Sequence, residues 1–262
     1  MKWKNLKSKI KALKFYLEPK IIINQGYCPI CERNVTFYAQ NEWLRDHFFC
    51  NQCKSIPRER ALMFCINKYY PNWKYLRIHE SSPTIRGASL KLKRECSNYL
   101  ATQYFPDFPL GQVHKNGFRN EDLEAQTFPD ESFDLIITQD VLEHIFNPER
   151  AFAEIARTLK SGGTHIFTVP LVMKDQASRP RAFKNERGII DYILPPQYHR
   201  NPLSQEGSLV TKDWGYDIVD YIWHHSRLTT TMIVLDDLSQ GIRAEYIEVL
   251  VSKKLKKSFF NN

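Results

Sequence analysis

The stretch "FDLIITQDVLEHIFNPERAFAEIARTLKSGGTHIFTVP", residues 133–170, decides the fold. Its first part, "FDLIITQD" (133–140), is a short apolar run typical of a buried strand. The part "NPERAFAEIARTLKSGG" (147–163) predicts a helix that Asn147 caps and Pro148 opens. The helix is predicted to end at Gly162 and Gly163, with a buried stripe of Phe152, Ile155, Ala156 and Leu159. Because "THIFTVP" (164–170) is again typical of a strand, the stretch predicts a strand-helix-strand unit.

The same alternation continues on both sides of this unit. Upstream, "YLRIHES" (75–81) and "YLATQYF" (99–105) predict two strands, with the helix "RGASLKLKREC" between them. Downstream, "TTTMIVLDD" and "AEYIEVLVSKK" flank a turn at "LSQGIRA" and predict an antiparallel hairpin. The predicted fold class is therefore α/β, a mostly parallel sheet covered by helices and closed by an antiparallel C-terminal hairpin, with its ligand at the carboxyl ends of the strands.

Four of the six cysteines form two C-x-x-C pairs, "CPIC" and "CNQC", with 18 residues between the pairs. This spacing is typical of a structural zinc site, because each tight turn directs two thiolates at one point and two turns complete a tetrahedral set. The predicted zinc ligands are Cys28, Cys31, Cys50 and Cys53. Two disulfides are the alternative, which a reducing compartment disfavours. Cys65 and Cys96 are predicted to pack as small apolar side chains.

The zinc module is predicted to span residues 21–56 as a small N-terminal ribbon or knuckle, built on a hairpin in "NVTFYAQNEWLRDHFF". A connecting helix is predicted within residues 57–74, with Ser55 as its cap and Pro57 in its first turn. The apolar residues predicted to line one side of this helix are Leu62, Ile66 and Tyr69. A module this short cannot bury a sufficient core, so the metal is expected to stabilise it.

The charge of the chain is concentrated at its two ends. The net charge is +8, yet residues 1–20 hold seven Lys and one Glu, and residues 253–257 hold four more Lys. The remaining body carries 26 Lys and Arg against 28 Asp and Glu, which does not favour a nucleic-acid groove. No apolar run is long enough for a membrane span, and lysines interrupt any signal-peptide core, so a cytoplasmic location is expected.

The two tails flank a main domain predicted at residues 75–252. Residues 1–20 predict a basic amphipathic helix with an apolar face of Trp3, Leu6, Ile10, Leu13 and Leu17. This face packs either on the chain's own body or on a second subunit, or else residues 1–17 make peripheral contact with an anionic membrane surface. Residues 253–262 form a basic tail. Within the main domain, residues 171–214 are predicted to be an insertion that covers the substrate.

The motifs in residues 127–170 resemble a known family. "TFPDESFDLIITQDVLEHIFNPERAFAEIARTLKSGGTHIFTVP" contains a Phe-Asp-hydrophobic strand, a Leu-Glu-His turn and a Leu-Lys-x-Gly-Gly segment. Class I S-adenosylmethionine-dependent methyltransferases, methyltransferase type 11-like, have these features in the same order. Looser similarity runs from residue 75 to 252, and a branch of the family is similar in carrying a four-cysteine module in front. The resemblance implies a Rossmann-like fold, S-adenosylmethionine as cofactor and a methyl-transfer activity.

The resemblance also implies a cofactor site. The family's glycine-rich turn corresponds here to "HESSPTIRG", in which Glu80 takes the acidic position and Ser81 and Ser82 replace glycines before Gly87. Either this is a modified cofactor loop, or the loop no longer binds the cofactor. The further implied cofactor residues are Gln103, with Asp107 as its alternative; Asp122 and Leu123, with Asn120, Glu121 and Glu124 as alternatives by register; and Gln139.

The acceptor side is predicted around "TQDVLEH", at the end of the fourth strand, with Gln139, Asp140, Glu143 and His144 as lining candidates. An oxygen acceptor must lose a proton, so His144 and His199 are the predicted catalytic bases. The alternatives are a structural or cofactor-side role for His144 and a surface-loop position for His199. Arg179, Arg181 and Arg200 would meet an anionic acceptor or form a solvated basic face.

The function predicted from the sequence is methyl transfer from S-adenosylmethionine to an unidentified small-molecule or sugar-like acceptor, at oxygen or nitrogen. One alternative is an RNA methyltransferase in which the zinc module reads the RNA. The other is a non-catalytic, zinc-containing binding or scaffold protein. Cofactor binding separates the last alternative from the first two, and salt-dependent RNA binding separates the two enzymes.

Overall fold

The structure is a computed structural model that describes residues 22–201 and 204–256. The predicted amphipathic helix at residues 1–20 therefore lies outside the described residues, and so does most of the predicted tail at 253–262. No helix in the described part of the chain is long and apolar enough to cross a membrane.

The described chain begins with a three-stranded antiparallel sheet. Its strands are β1 (Ile22–Cys28), β2 (Arg33–Ala39) and β3 (Phe48–Cys50), in the order β1-β2-β3, with the short helix α1 (Leu44–His47) before β3. The predicted hairpin corresponds to β2 and β3, which pair antiparallel, and β1 adds a third strand. We call this sheet with its two C-x-x-C turns the ribbon.

Helix α2 (Pro57–Tyr69) follows the ribbon, with Pro57 in its first turn as predicted. Ser55 does not cap it. The N-cap residue is Ile56, whose amide donates to Glu59 Oε2 at 3.1 Å. The Glu59 carboxylate, one turn into the helix, thus satisfies the amide of the N-cap residue. Of the three residues predicted to line one side of the helix, Leu62 and Ile66 are buried, and Tyr69 at the last turn is 47% exposed.

The main sheet is built in two passes of the chain. The first pass consists of β4 (Ile78–Ser81), α3 (Gly87–Glu95), β5 (Tyr99–Gln103), β6 (Arg119–Asn120), β7 (Phe133–Gln139), α4 (Pro148–Thr158) and β8 (Leu159–Thr168). Short antiparallel strands follow: β9 (Arg179–Pro180), β10 (Ala182–Lys184), β11 (Ile190–Tyr192), β12 (Tyr198–Asn201), β13 (Ser204–Leu209) and β14 (Lys212–Asp213). The second pass adds α5 (Ile218–Ser226), β15 (Thr229–Ile233) and β16 (Val249–Lys253).

The seven strands of the main sheet have the order β15-β16-β8-β7-β4-β5-β6. The pairs from β8 through β6 are parallel, whereas β16 pairs antiparallel with both β8 and β15. This arrangement confirms the predicted α/β, Rossmann-like sheet closed by an antiparallel C-terminal hairpin. The order also reverses at β4, since the chain goes first to β5 on one side and later to β7 on the other. Open α/β sheets bind ligands outside the carboxyl ends of the strands at such a reversal.

Helix α4 is shorter than predicted. It ends at Thr158, and β8 begins at the next residue. Gly162 and Gly163 lie inside β8, beside a register irregularity against β7, and a Cβ at Gly163 would come within 2.9 Å of the Lys160 carbonyl oxygen. The glycines therefore permit a bulge and do not end the helix. Asn147 is the N-cap residue, but its side chain donates to Glu124 Oε2 at 2.8 Å and makes no cap bond.

Two hydrophobic clusters cover the two faces of the main sheet. One joins apolar residues of α2 and α3 to the ribbon, so that Phe37 and Phe48 belong to the same cluster as Ile78 and Ile166 of the sheet. The other contains the buried sides of α4 and α5. Because the ribbon shares a core with the sheet, its packing and that of the main domain depend on each other.

Candidate functional site

The candidate site lies at the carboxyl ends of β4, β5 and β7. Ser81 stands in register with Thr102 on one side and Thr138 on the other, and the Ser82 amide donates to the Thr102 carbonyl at 2.9 Å. Gln103 and Gln139 end the two neighbouring strands. The structure thus brings four of the predicted cofactor residues, Ser81, Ser82, Gln103 and Gln139, to one edge of the sheet.

Glu80 is fully buried directly beneath this edge. Its carboxylate accepts three hydrogen bonds, from Ser89 Oγ at 2.6 Å, Tyr99 OH at 2.7 Å and Gln139 Nε2 at 2.8 Å. Burial raises the pKa of Glu80, although the three donors oppose this shift. Glu80 therefore positions Gln139 and the first turn of α3. The Gln139 Oε1 atom is itself buried and has no hydrogen-bond partner among the described residues.

The turn between β4 and α3 is shaped by the neighbouring helix α2. Ser82 and Gly87 both have φ of 55°, in the left-handed region that favours glycine. A Cβ at Gly87 would clash with the Glu59 carboxylate, and Glu59 Oε1 also pairs with Arg86 Nε at 3.0 Å. Gly87, a predicted cofactor residue, is therefore glycine because α2 approaches its backbone closely.

The loop after β6 contains the residues among which the sequence left the cofactor contact open, residues 120–124. Three of them already bind protein groups: Asn120 holds the Phe105 amide, Glu121 pairs with Arg119, and Glu124 accepts from the Asn147 amide at the start of α4. Leu123 is 4% exposed and packs in a hydrophobic cluster, so its side chain is not available to a ligand.

Asp122 is the member of that loop left with a free carboxylate oxygen. In residues 22–201 and 204–256, its side chain accepts one hydrogen bond, from the Glu124 amide to Oδ1 at 2.9 Å. Partial burial is the main cause that raises the pKa of Asp122. The Glu121 amide donates to the Gln103 carbonyl at 3.2 Å, which places this loop beside the end of β5. Asp107, the alternative to Gln103, is exposed.

Asp140, predicted to line the acceptor side, is held by two arginines from outside the main sheet. Its Oδ2 lies 2.7 Å from Arg45 Nη2 of α1 and 2.9 Å from Arg58 Nε of α2, and its Oδ1 accepts from Thr168 Oγ1 at 3.0 Å. Although burial acts in the opposite direction, the two guanidinium groups hold the pKa of Asp140 well below its usual range. This residue connects the ribbon to the end of β7. Its partners were missed because no local pattern relates positions 45 and 140.

The predicted bases His144 and His199 do come together, and Glu143 joins them. Glu143 Oε1 lies 3.7 Å from His144 Nε2 and 3.5 Å from His199 Nδ1, and the two imidazole rings meet edge to face with centroids 5.1 Å apart. Glu143 and His144 lie in the turn after β7, whereas β12 carries His199. The segment 171–214 therefore delivers a histidine to the edge of the sheet.

Two of the three arginines predicted to meet an anionic acceptor are used within the segment 171–214. Arg179 Nε and Arg181 Nη1 both pair with Asp213 Oδ2, at 3.0 and 2.8 Å. These pairs hold β9 against β14 and leave Arg200, which is exposed, as the remaining candidate.

The four cysteines of the two C-x-x-C turns form one compact cluster. Their sulfur atoms lie within 4.8 Å of one another, and both Cys28–Cys53 and Cys31–Cys50 have Sγ–Sγ separations of 3.8 Å. A tetrahedral ion with sulfur ligands at about 2.3 Å requires sulfur separations of about 3.8 Å. The observed spacing therefore fits a closed four-thiolate metal site, and none of the four is in a disulfide.

A buried arginine, Arg60, lies close to this cluster, and no pattern in the sequence indicated its role. It is fully buried and donates to the carbonyl oxygens of Phe48 and Gly241 at 2.9 and 3.0 Å, and also to that of Ser55. Burial lowers the pKa of Arg60 to about 10, while the negative charges of the nearby thiolates oppose the shift. The guanidinium thus ties the ribbon to the loop before β16 and balances part of the thiolate charge.

Comparison with known proteins adds an independent finding. Residues 89–167 match the family model described as a methyltransferase domain. The match covers less than a third of the chain. The predicted methyltransferase is thereby confirmed, while its acceptor stays a prediction. None of the curated proteins matches this sequence.

Several solved structures are similar in fold to this methyltransferase. An S-adenosylmethionine dependent methyltransferase from Mesorhizobium loti has 17% identity and a TM-score of 0.47, covering 74% of this chain and 97% of that one. A Burkholderia thailandensis 1,6-didemethyltoxoflavin-N1-methyltransferase with bound S-adenosylhomocysteine has 10% identity and a TM-score of 0.46, with coverage of 76% and 79%. A methyltransferase from Methanosarcina mazei has 13% identity and a TM-score of 0.43, with coverage of 72% and 98%. Likeness at this level says nothing about the acceptor.

The matched segment of the methyltransferase domain contains Gln103, Asp122, Gln139 and His144. It does not include the turn from Glu80 to Gly87, His199 or the four cysteines. The roles of all these side chains are therefore proposals that depend on the geometry described above.

Proposed function

We propose that this methyltransferase moves a methyl group from S-adenosylmethionine to a small-molecule or sugar-like acceptor, at oxygen or nitrogen. The observation that carries the proposal is the convergence of Ser81, Ser82, Gln103 and Gln139 where the strand order reverses, beside a segment that matches the methyltransferase family. Its support is the position of this polar edge, which is where an open α/β sheet binds its ligand.

The polar groups of this edge fit the amino-acid part of S-adenosylmethionine. Gln139 Oε1 is a buried acceptor without a partner among the described residues, and such an atom is costly unless a ligand donor reaches it. The cofactor's ammonium group is such a donor. The hydroxyl groups of Ser81 and Ser82 can donate to its carboxylate, although the family's glycines are missing. Glu80 acts through Gln139 as a positioning residue.

Asp122 is the residue we assign to the adenine part of the cofactor. Among the described residues one oxygen of its carboxylate has no hydrogen bond, whereas the alternatives Asn120, Glu121 and Glu124 are bound to other protein groups. A carboxylate oxygen can accept a hydrogen bond from an amino group such as that of adenine.

When bound, S-adenosylmethionine supplies an electrophilic methyl group on a sulfonium. The chain's contribution to an in-line displacement is to align donor and acceptor and to take the acceptor's proton. His144 and His199 are the predicted bases for that proton. His144 Nδ1 donates to the Leu209 carbonyl at 2.8 Å, so Nε2 is the atom of this ring that can accept.

The metal part of the proposal is a structural zinc ion in the ribbon. Its support is the match between the observed sulfur separations and a tetrahedral thiolate site. Since all four positions are filled by sulfur, this zinc would have no open position for an acceptor. Its proposed role is to hold the ribbon, and through Arg45 the carboxylate at the end of β7, in place.

The test is isothermal titration of zinc-loaded protein with S-adenosylmethionine and S-adenosylhomocysteine. Gln139→Met and Asp122→Asn are each expected to weaken binding about tenfold, the loss of one good hydrogen bond. The matched control Asp107→Asn, an exposed aspartate of the same region, should leave binding unchanged. Circular dichroism checks that each variant is folded.

Three outcomes would each contradict a part of the proposal. No cofactor binding by folded wild-type protein would overturn the proposal and favour a binding or scaffold protein. Equal effects of Asp122→Asn and Asp107→Asn would remove Asp122 from the site. Tight RNA binding that falls steeply with salt would replace the small-molecule acceptor by RNA.

A further inference from the structure

The cluster of Glu143, His144 and His199 has the composition of a metal site that is separate from the cysteines. The ligating atoms of the three side chains all lie within 4.8 Å of one another. Two imidazoles and one carboxylate bound to an ion at about 2.1 Å would stand about 3.4 Å apart in tetrahedral geometry. The observed separations of 3.5 and 3.7 Å to Glu143 Oε1 are close to that value and too long for good hydrogen bonds.

The carboxylate of Glu143 requires a partner that the described chain does not supply. Its side chain is 2% exposed, and both of its oxygens lack a hydrogen bond within residues 22–201 and 204–256. A buried carboxylate is strongly unfavourable unless it is paired, hydrogen-bonded or bound to a metal. The groups closest to it in this cluster are the two imidazoles. They can satisfy it either as protonated donors or as fellow ligands of a cation.

The tautomer of His144 favours a cation. Because a carbonyl oxygen only accepts, the 2.8 Å bond from Nδ1 to the Leu209 carbonyl places the ring's proton on Nδ1. In its neutral form the ring presents the Nε2 lone pair toward the oxygen lone pairs of Glu143, 3.7 Å away. Two lone pairs that face each other across this distance repel unless a positive charge lies between them. A carbonyl-bound Nδ1 with a free Nε2 is also the usual arrangement of metal-binding histidines.

The backbone holds the cluster rigidly. The Glu143 carbonyl accepts from the Thr211 amide at 2.8 Å and from its hydroxyl at 3.1 Å, and Trp214 Nε1 donates to the Leu142 carbonyl at 3.3 Å. The turn after β7 is thus attached to the chain after β13, and β13 pairs with the strand that carries His199. A preformed site of this kind loses little entropy when an ion binds.

We propose that Glu143, His144 and His199 bind one first-row divalent cation at the acceptor side of the methyltransferase. Two imidazoles and one carboxylate suit manganese, iron, cobalt or zinc, whereas magnesium and calcium prefer oxygen ligands. Three protein ligands leave at least one position open, so this site, unlike the cysteine cluster, can take an exogenous oxygen.

The open position indicates the chemical class of the acceptor. A divalent cation lowers the pKa of an oxygen bound to it, so the acceptor would be a hydroxyl compound that loses its proton to water when it binds the ion. His144 and His199 would then act as ligands of the cation in place of the predicted role as bases. This step rests on the proposed function, since it assumes that the edge formed by β4, β5 and β7 delivers a methyl group. The binding of the cation itself does not rest on it.

The test is equilibrium dialysis of zinc-loaded protein against Mn²⁺ and, separately, against Co²⁺, with all metals counted by mass spectrometry. The zinc content of the same sample reports whether the cysteine site is intact. Wild-type protein is expected to bind one ion per chain beyond the zinc ion of the cysteine site, counted as manganese, cobalt or a second zinc ion. His199→Gln and Glu143→Gln should each weaken this binding tenfold or more, whereas the exposed His224→Gln should not.

The result that overturns the proposal is the absence of a further ion with both metals, or equal affinity in the His199→Gln and His224→Gln variants. His199 is partly exposed on the inserted segment, so its replacement tests the site even if Glu143→Gln does not fold. Titration with S-adenosylmethionine separates the two proposals. Ion binding without cofactor binding would refute only the proposed function, and cofactor binding without ion binding would refute only this site.

Discussion

Lowering the pH from 7 to 5 is expected to destabilise the folded chain by about 4 kcal/mol through two buried histidines. His79 of β4 and His165 of β8 are fully buried and stand in one register line across the sheet, on either side of Ile136. Each Nε2 is in hydrogen-bond contact with a threonine hydroxyl, at 2.8 Å from Thr102 and 3.0 Å from Thr138. Two phenylalanine rings pack against His79 and one packs against His165, so a proton on either imidazole would be poorly solvated.

The magnitude follows from the pKa of each ring. Burial lowers the pKa of His79 to about 3, and burial together with the charge of His79 lowers the pKa of His165 to about 3. An imidazole in the unfolded chain titrates near 6.5, so below that pH the unfolded state binds more protons. The stability gained by burying the two imidazoles in their neutral form is fully present above pH 6.5, and it is lost as the pH falls toward 3. Between pH 7 and 5 each histidine contributes a loss of about 2 kcal/mol.

The assay is urea unfolding at pH 7 and at pH 5, for wild-type protein and for the double variant His79→Gln, His165→Gln. The quantity compared is the change in the free energy of unfolding between the two pH values, which should be about 4 kcal/mol smaller in the double variant. Glu80, whose pKa burial raises, gains protons on folding and acts in the opposite direction in both proteins. The exposed His224→Gln variant is the control and should behave as the wild type.

Two results would refute this reasoning. One is the same pH dependence in wild-type protein and the double variant. The other requires no variant: nuclear magnetic resonance of the folded protein that shows the ring of either histidine titrating above pH 5. That result would mean that water or a compensating charge reaches the buried face of the sheet.

Three further changes test the connections between the ribbon, α2 and the main sheet. Removal of the proposed zinc ion by a strong chelator should lower the melting temperature of the whole chain, reversibly on adding zinc, because the ribbon and the sheet share one core. Arg45→Met should cost about 2 kcal/mol in urea unfolding, since it removes a cation 2.7 Å from the half-buried carboxylate of Asp140, which keeps Arg58 as its remaining partner. The control Arg243→Met breaks an exposed pair and should cost under about 1 kcal/mol. Gly87→Ala should cost about 2 kcal/mol, because its Cβ meets Glu59, whereas Gly117→Ala, also at positive φ but with nothing within 4 Å, should cost less.

Each of these changes also has an outcome that contradicts its reason. If the melting temperature does not change on adding the chelator, the ribbon packs independently of the proposed metal. If Arg45→Met and Arg243→Met lower the free energy of unfolding equally, the 2.7 Å pair of Arg45 and Asp140 stabilises the chain no more than an exposed ion pair does. Equal costs for the two glycine variants would attribute the effect to backbone strain alone and not to the approach of α2.

Local patterns in the sequence determined the main elements of this protein. The apolar run at 133–140 and the stripe of α4 predicted a strand-helix-strand unit, which the structure contains as β7, α4 and β8. The hairpin of β15 and β16 and the spacing of the four cysteines were predictable for the same reason, since alternation and short motifs act over a few residues. End points were less predictable. Gly162 and Gly163, for example, suit a helix end and a strand bulge equally well.

Most residues of the candidate site could be predicted separately, each from its position in a predicted strand. Glu80, Ser81, Ser82, Gln103 and Gln139 each lie in the last three residues of a predicted strand or directly after it, and parallel strands end at the same edge of a sheet. The sequence therefore indicated the residues that meet, and it favoured Asp122 and Leu123 over Asn120, Glu121 and Glu124 without deciding the register. The structure adds that Asn120, Glu121 and Glu124 are bound to other protein groups, whereas one carboxylate oxygen of Asp122 has no hydrogen bond among the described residues.

Tertiary structure alone decided the contacts between residues far apart in the chain. The pair of Arg45 and Asp140 joins the ribbon to β7, and Glu143 meets His199 only because β12 returns to the edge of the sheet. Periodicity and spacing carry no information about such pairs, because each partner looks like an ordinary polar residue of its own loop. Their proximity depends on how two separately formed elements pack, and packing is determined by the shared core and not by the local sequence.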